Sequence, residues 1–545
     1  MNQPTDYDGI FLGAGHNALV AAAYLARCGM RVAVLERAAT PGGGLATLEN
    51  PRLPGFWHNT HSFFHRAVTA MPWYRDLDLR HHGAEYIEPA FNVAMILRDG
   101  RVLQWWTDFD KTVASFAEFS PRDAARLAAW VAEFRPIVEQ ILIPEAQSPP
   151  LPRDRRRALL ERSSLGRRLL EVSALSPLEF VTREFENDVV RAGLLFFNGL
   201  REVDLRLRGF GHAIPAMLAG PRMAAMCVGG SARLADALVR DITEHGGHVL
   251  SGVRIERIVL EDGRAVGVEV ADSDGSGRGA IAQIRAGFVA SGMNPQQTFL
   301  RLIDADLLSP TLKRQAEAFR YNLLAPLFGL NVALAEPPQY TAARDCPSLD
   351  SAFMVILGLE RFEQFQEIVA AHEEGRIPST VMWGCCPTVF DASQAPPLRH
   401  VAFMWEKLPY ALDGDATNWD TAAEAHGREM LAMWRRYAPN LADGVVLDAF
   451  CRTPLDTERS LPNMQAGDLL VGSFEGQVGD HRPFAGAGNY RTAVPGLYLC
   501  GGATHPGGNI TGLCGYNAAR VIASDHGVGI WWDPPDVEAA WEAAT

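Results

Sequence analysis

The sequence predicts a mixed α/β fold in which an α+β region is inserted into a parallel, doubly wound unit built from distant parts of the chain. Two glycine-rich stretches and one acidic residue predict it. The first stretch is Tyr7-Asp-Gly-Ile-Phe-Leu-Gly13-Ala-Gly15-His-Asn-Ala18, which runs on to Val32-Ala-Val-Leu-Glu36. The second is Gly496-Leu-Tyr-Leu-Cys500-Gly-Gly-Ala-Thr504-His-Pro-Gly-Gly-Asn-Ile-Thr-Gly512. Each reads as a strand, a glycine-rich turn and a helix N-terminus, the layout of a Rossmann-like dinucleotide site.

Tyr7 to Leu12 is a short, mostly apolar run, as expected of a buried parallel strand. Gly13 allows the tight turn, Gly15 lets the backbone approach a pyrophosphate, and Ala18 lets the helix pack on the strand. The helix is predicted from Asn17 to Cys28, with Gly29 as its stop. Its first N–H groups and its dipole favour phosphate charge. A second strand, 31–35, is closed by Glu36, about twenty residues past the glycines, where an acid binds a ribose hydroxyl. Arg37 is placed to face the adenine or its ribose. Pro41-Gly-Gly43-Gly44 then supplies a turn that passes close to the cofactor, which favours FAD over NAD. Gly44 stands where arginine is common, so backbone amides are expected to carry more of the phosphate binding.

Asn92 to Leu97 and Val102 to Trp106, joined by Asp99-Gly100, read as a β-hairpin. Residues 108–222 read as largely helical, with starts at Asp108, Ser120-Pro121 and Ser176-Pro177. Gly229-Gly230-Ser231 precedes an amphipathic helix from Ala232 to His245 and a strand meander from Val253 to Val270. One more strand spans 285–290, and Asn294-Pro295 fits a helix start. Val381 to Cys386 and His400 to Trp405 are strand candidates in the next region. Residues 272–279 and Pro396-Pro397 read as loops. The last strand is 497–500 and the last helix 513–522. The expected division is an FAD-binding domain over 1–107, 223–296 and 480–530, and a substrate domain with a helical subdomain over 108–222 and 297–479.

The chain of 545 residues can bury a large core, and none of its apolar runs is long enough for a membrane span. The N-terminal residues lack a signal-peptide layout, and the eight cysteines lack Cys-x-x-Cys spacing, so a reducing cytoplasm is expected. A net charge of −14 argues against nucleic-acid binding. One basic segment, Arg153-Asp-Arg155-Arg156-Arg157 with Arg162, Arg167 and Arg168, has three readings. It is a solvated helix face, a peripheral membrane or partner contact, or a funnel for an anionic substrate. Oligomeric state is not legible.

The chain resembles the phytoene desaturase-like flavoproteins, in particular the branch similar to the pyridine nucleotide-disulphide oxidoreductase domain-containing proteins. Gly13 to Leu25, Pro54-Gly-Phe56, Gly229-Gly-Ser231, Asn489-Tyr-Arg-Thr492 and Gly496 to Asn517 carry the resemblance, which spans nearly the whole chain. It implies one non-covalent FAD, a substrate domain of the flavin amine oxidase/phytoene desaturase type over the isoalloxazine ring, and redox chemistry at carbon. The expected cofactor contacts are Gly13, Gly15, Asn17, Ala18, Glu36, Arg37, Gly43, Gly44, Leu45, Val253 and Gly292, with Gly501, Gly502, Ala503, Thr504, Asn509, Ile510 and Thr511 from the far end.

Desaturation needs a hydride leaving for the flavin, a proton leaving the neighbouring carbon, and a dry site. His61, in His58-Asn-Thr-His61-Ser-Phe-Phe-His65, is the first candidate for a base or orienting donor. His505 is expected beside the flavin. Tyr490 is placed to face the ring or a substrate carbonyl, and His481-Arg482 to bind a carboxylate, with a surface ion pair as the equal alternative for Arg482. Trp57, Phe63, Phe64, Trp105, Trp106, Phe403 and Trp405 are candidates to line an apolar pocket. No metal is expected, because His58, His61 and His65 lack partnering carboxylates or thiols. The expected activity is an FAD-dependent dehydrogenase forming C=C in an apolar or alicyclic small molecule, reoxidised by oxygen or a quinone. An isomerase or amine oxidase in the same fold, and a non-catalytic flavin-binding or membrane-associated scaffold, are the alternatives.

Overall fold

Strand β1 (Tyr7–Leu12) of the computed structural model leaves the sheet at Gly13 and enters helix α1 (His16–Arg27), which returns to β2 (Val32–Glu36). The structure describes residues 5–198, 204–220, 222–272 and 281–543; the expected loop over 272–279 lies outside them except for Asp272. The expected hairpin forms as β3 (Phe91–Ile96) and β4 (Val102–Trp106). Short helices fill most of 109–218. Helix α2 (Ala232–Glu244) leads to β5 (His248–Ser251) and the meander β6 (Val253–Glu261), β7 (Arg264–Asp272) and β8 (Ala282–Ser291). Then follow β9 (Leu327–Leu334), β10 (Met354–Leu357), β11 (Met382–Cys385), β12 (His400–Lys407) and β13 (Val446–Arg452). Then come β14 (Leu497–Leu499) and α3 (Leu513–Asp525), and α3 is not the last helix as expected, because a short helix, Val537–Ala543, follows it and buries Val537 and Trp541.

The first sheet has the order β5-β2-β1-β8-β7-β6, and β14 also pairs with β8. Strands β5, β2, β1, β8 and β14 are parallel, with Leu12 opposite both Leu35 and Ser291, and Ser291 opposite Leu499. Their carboxyl ends therefore align, and the crevice opens among the turns that leave β1, β8 and β14 at that edge, as in dinucleotide folds. Alternation builds both faces. Phe11, Val32, Val34 and Phe288 pack beneath α1, α2 and α3, while Ile10, Leu12, Ala33 and Leu35 pack toward the meander. Burial on both faces explains the continuous apolar runs.

The second sheet has seven strands in the order β13-β9-β12-β11-β10-β3-β4. The hairpin that the sequence assigned to the first domain thus completes the second sheet: β3 pairs parallel to β10, with Met354 opposite Val93. Both faces of β3 are buried, so it needs a sheet partner on its free side, and local sequence does not name that partner. One face, with Met95, Trp105, Trp383, Phe403 and Trp405, packs against the helical subdomain. The opposite face, with Ile96, Leu330, Val332 and Met404, packs against the helix Trp419–Tyr437. Trp541, near the C-terminus, joins the helical subdomain and donates to Ile141 O at 3.2 Å. Among the described residues no helix is long and apolar enough to cross a membrane.

Candidate active site

Gly13 holds φ +82°, and a Cβ placed on Gly15 would meet no atom within 4 Å. Gly15 is the N-cap of α1 and supplies no side-chain cap, so the first N–H groups of α1 face open space. Gly42 donates to Ala14 O at 2.8 Å, and a Cβ on Gly43 would lie 3.4 Å from the Gly15 Cα. The two glycine turns therefore touch backbone to backbone. Glu36 accepts from the N–H groups of Ala14 and Ala38, each at 2.8 Å. Arg37 is exposed and donates to Ser460 O at 3.2 Å, which turns it toward the substrate domain. Leu45 is buried in the core beneath α1, and a Cβ on Gly44 would lie 3.0 Å from the Met464 Cε. Val253 opens β6, after Gly252 has donated to Ala38 O at 3.1 Å.

The far end of the chain closes on this turn. Gly292 donates to Leu12 O at 2.9 Å, and a Cβ on Gly501 would lie 2.2 Å from Gly292 O. Only hydrogen fits there, so the loop after β14 lies directly on the loop after β8. Ala18 and Asn17 of α1 are buried, and Asn17 Oδ1 lacks a hydrogen-bond partner among the described residues. His16 Nε2 meets Asn509 O at 3.0 Å, and burial lowers the His16 pKa to about 4. Thr504 turns inward and donates to Gly501 O at 2.8 Å. Ala503 is buried, Ile510 packs beneath the first sheet's helices, and Trp73 Nε1 donates to Thr511 O at 2.6 Å. An uncapped helix, an open glycine cradle and an acid one strand away fit the pyrophosphate and ribose of FAD.

Arg482 is the largest departure from expectation. Its guanidinium is buried and donates to the carbonyls of Gly472, Ser473, Gln477, Gly502 and Thr504, with its carbon 4.4 Å from the Phe474 ring centroid. Burial lowers its pKa to about 10, so it stays charged at neutral pH. It ties the 472–477 loop to the 501–508 loop, so it is neither a carboxylate binder, with its N–H groups spent on backbone carbonyls, nor a surface ion pair, being buried.

Of the three clustered histidines, His65 has both ring nitrogens engaged and His58 has one. His65 is held by Ser62 and Tyr86, each at 2.8 Å, and His58 lies edge-on to Phe450 with centroids 5.0 Å apart and meets Asn50 Nδ2 at 3.4 Å. His61 is different. Its Nδ1 meets Thr60 Oγ1 at 2.9 Å, and its buried Nε2 has no partner among the described residues. Burial, then the nearby Arg452 charge, lowers its pKa to about 3, so the ring is neutral. Tyr490 is wholly buried and donates to His505 O at 2.9 Å; burial raises its pKa well above the usual phenol value. His505 Nε2 meets Glu145 O at 3.1 Å, which joins the helical subdomain to the 501–508 loop.

Phe63 and Phe64 pack edge-on against Phe403 and Trp405 of β12, respectively, at 5.1 and 5.8 Å. Trp105 joins the same core, whereas Trp106 stacks on Phe91 at 4.2 Å and Trp57 is 40% exposed, away from it. Sequence reasoning missed Asn331, which is wholly buried on β9 with neither side-chain polar atom partnered among the described residues. A single amide inside the apolar run Leu327 to Leu334 was the available signal. A cleft of about 360 Å³ opens beyond the same sheet end, between Arg206, Leu324, Ala325 and Phe474. Among the described residues no cluster of His, Cys, Asp and Glu is arranged to hold a metal ion.

The basic segment is internally paired. Arg153 meets Asp480 at 3.3 Å, Arg155 pairs with Glu538, Arg156 with Glu145, and Arg157 with Glu161 at 2.8 Å. Arg162 meets Glu542 at 3.6 Å, Arg167 donates to Glu161 O at 2.8 Å, and Arg168 meets Glu133 and Glu171 at 2.5 and 2.7 Å.

A family model described as an NAD(P)-binding Rossmann-like domain matches residues 12–77. A limonene dehydrogenase subunit of Castellaniella defragrans is 30% identical over 98% of this chain and 98% of its own length. Pyridine nucleotide-disulfide oxidoreductase domain-containing protein 2 of Rattus norvegicus is 27% identical over 95% of this chain and 94% of its own. Among solved structures, a putrescine oxidase triple mutant superposes with a TM-score of 0.60 at 15% identity, covering 95% of this chain and 99% of its own, a likeness of fold.

Proposed function

This chain belongs to the phytoene desaturase-like family of FAD-dependent oxidoreductases, and on that premise we propose that it dehydrogenates a CH–CH bond of an apolar or alicyclic small molecule. The carrying observation is the character of the second sheet's inner face. Leu327, Gly329, Asn331 and Ala333 of β9, Val401, Phe403, Trp405 and Lys407 of β12, and Trp383 and Cys385 of β11 include no acid, and the one acid that β13 adds to this face, Asp448 opposite Ala333, is paired with Arg52 at 2.8 Å, while Arg452 stands opposite Gly329. Such a wall suits an apolar skeleton, and its one carboxylate, Asp448, is already engaged by Arg52 and Asn50 rather than aimed at a cationic amine.

Bound FAD supplies a two-electron acceptor for a hydride leaving carbon. The chain's own residues hold and dry the site. Gly13, Gly15 and the first turn of α1 seat the pyrophosphate, and Glu36 seats the ribose. Phe63, Phe64, Phe403 and Trp405 exclude water. His61, neutral and with Nε2 unpartnered among the described residues, offers one hydrogen bond to the substrate rather than a charge. Lys407 Nζ donates to Ala325 O at 2.7 Å, which fixes the end of the wall beside the 360 Å³ cleft, the proposed access route. Oxygen or a quinone is the proposed final oxidant.

The test is an absorption spectrum of the purified protein, followed anaerobically as saturated cyclic ketones, polyenes and amines are added. Bleaching of the flavin bands by a CH–CH donor, with its desaturated product recovered, is expected. Bleaching by amines alone would move the protein to amine oxidation. Bands that no CH–CH donor bleaches would overturn the dehydrogenase reading.

A further inference from the structure

A methyl carbon placed on Gly329 would lie 3.4 Å from Trp405 Nε1 and 3.6 Å from Asn331 Nδ2. Both nitrogens thus border one small space over a residue that has no side chain. Register explains the meeting: Gly329 lies opposite Trp405, and Asn331 lies opposite Phe403 and Phe450. Asn331 is wholly buried and Trp405 is 5% exposed. Among the described residues neither Asn331 Oδ1, Asn331 Nδ2 nor Trp405 Nε1 has a hydrogen-bond partner. Buried polar atoms are rarely left so, because an unmade bond forfeits the hydration that each group had in water. Phe64, edge-on to Trp405 at 5.8 Å, covers the same space from the first domain.

We propose that Asn331 and Trp405 seat the single oxygen of an otherwise apolar substrate, so that the substrate class is a ketone or alcohol rather than a hydrocarbon. The inference rests on the reading above that substrate lies against this sheet face. A carbonyl oxygen accepts from the indole N–H and from the carboxamide N–H. A hydroxyl accepts from the indole and donates to the carboxamide oxygen. A hydrocarbon does neither and leaves three polar atoms dry. Gly329 is part of the device, since a Cβ there would stand 3.2 Å from the Trp405 Cδ1 and fill the seat. Donors fixed on a carbonyl oxygen also stabilise the negative charge that gathers there when a proton leaves the adjacent carbon. Access is short: Leu327 and Lys407, the next inward pair along β9 and β12, adjoin Ala325 at the cleft.

The test uses holoprotein and reads binding, by perturbation of the bound-flavin spectrum and by calorimetry, with menthone and p-menthane, a ketone and a hydrocarbon of one skeleton. Menthone is expected to bind about tenfold or more tightly, as a buried hydrogen bond pair requires. Asn331→Leu and Trp405→Phe are expected to weaken menthone and leave p-menthane unchanged or tighter, with flavin content as the check on folding. Equal binding of both probes by the native protein overturns the proposal, whether the seat then holds water or nothing. Binding of neither overturns it as well, and so does an equal loss of both in the variants. Selective menthone binding without flavin reduction would sustain the seat while removing support for the dehydrogenase reading. Reduction by hydrocarbon and ketone alike, with equal affinity, would do the reverse.

Discussion

A Cβ on Gly515 would lie 1.8 Å from the carbonyl oxygen of Asn17. Helix α3, near the end of the chain, therefore rests on the first turn of α1, near its beginning, with only hydrogen between them. Asn17 belongs to the first turn of α1, the proposed pyrophosphate seat, so this contact sets where that turn stands. Gly515→Ala is expected to push α3 away at a cost of roughly 1–3 kcal/mol or more. Purified variant should carry less FAD than native protein and melt earlier; unchanged flavin content and melting temperature would contradict the role.

Glu36 holds the N–H groups of Ala14 and Ala38 with one carboxylate. Glu36→Gln keeps the shape and removes the charge that strengthens those bonds and the proposed bond to a ribose hydroxyl. FAD affinity should fall about tenfold or more. Fluorescence titration of apoprotein with FAD measures this, and an unchanged Kd would place the ribose elsewhere.

Arg482 gathers five backbone carbonyls around one buried guanidinium. Arg482→Met fills the volume and removes those bonds, a loss of several kcal/mol by the usual cost of unmade buried bonds. Protease cleavage between residues 470 and 510 should accelerate in the variant while the second sheet stays protected. Uniform protection across the chain would argue against the staple.

Acid should destabilise the fold through the buried histidines. His58 is lowered to about 4, and His61 and His65 to about 3, from 6.5, in each case chiefly by burial. The unfolded chain therefore binds more protons than the native one as pH falls below about 6.5. Their contribution to stability is complete above that pH and is lost as pH falls toward the native values. Each group adds about 1.4 kcal/mol per pH unit within the window. Chemical denaturation from pH 7 to pH 4.5 should show the slope, and His61→Gln should reduce it by one proton; an unaltered slope would refute the buried neutral state.

The arginine segment should divide by burial. Arg156 pairs with Glu145, whose carbonyl meets His505, whereas Arg157 pairs with Glu161 on an exposed helix surface. Arg156→Met should lower the melting temperature measurably, and Arg157→Met should change stability by less than about 0.5 kcal/mol. Equal effects would mean that the partly buried pair does not brace the 501–508 loop.

The sequence by itself determined everything that depends on neighbours along the chain. Gly13, Gly15 and Glu36 announce a strand, a turn and an acid because backbone freedom and strand length fix their spacing. The apolar runs that became β1, β2, β8 and β14 were legible for the same reason, as was the helix start at Ser120-Pro121, where Ser120 caps the Asp123 N–H at 3.1 Å. Tertiary structure alone decided the rest. Which sheet β3 and β4 complete, that Asp480, Glu538 and Glu542 answer Arg153, Arg155 and Arg162, and that Arg482 reaches the carbonyls of Gly502 and Thr504 are contacts between segments apart in sequence. Asn331 and Trp405 meet only because β9 and β12 pair in a register that sets Gly329 opposite Trp405. A slip of one residue in either strand would turn that strand's side chain to the opposite face and away from the other, so the meeting exists in the pairing and not in either strand.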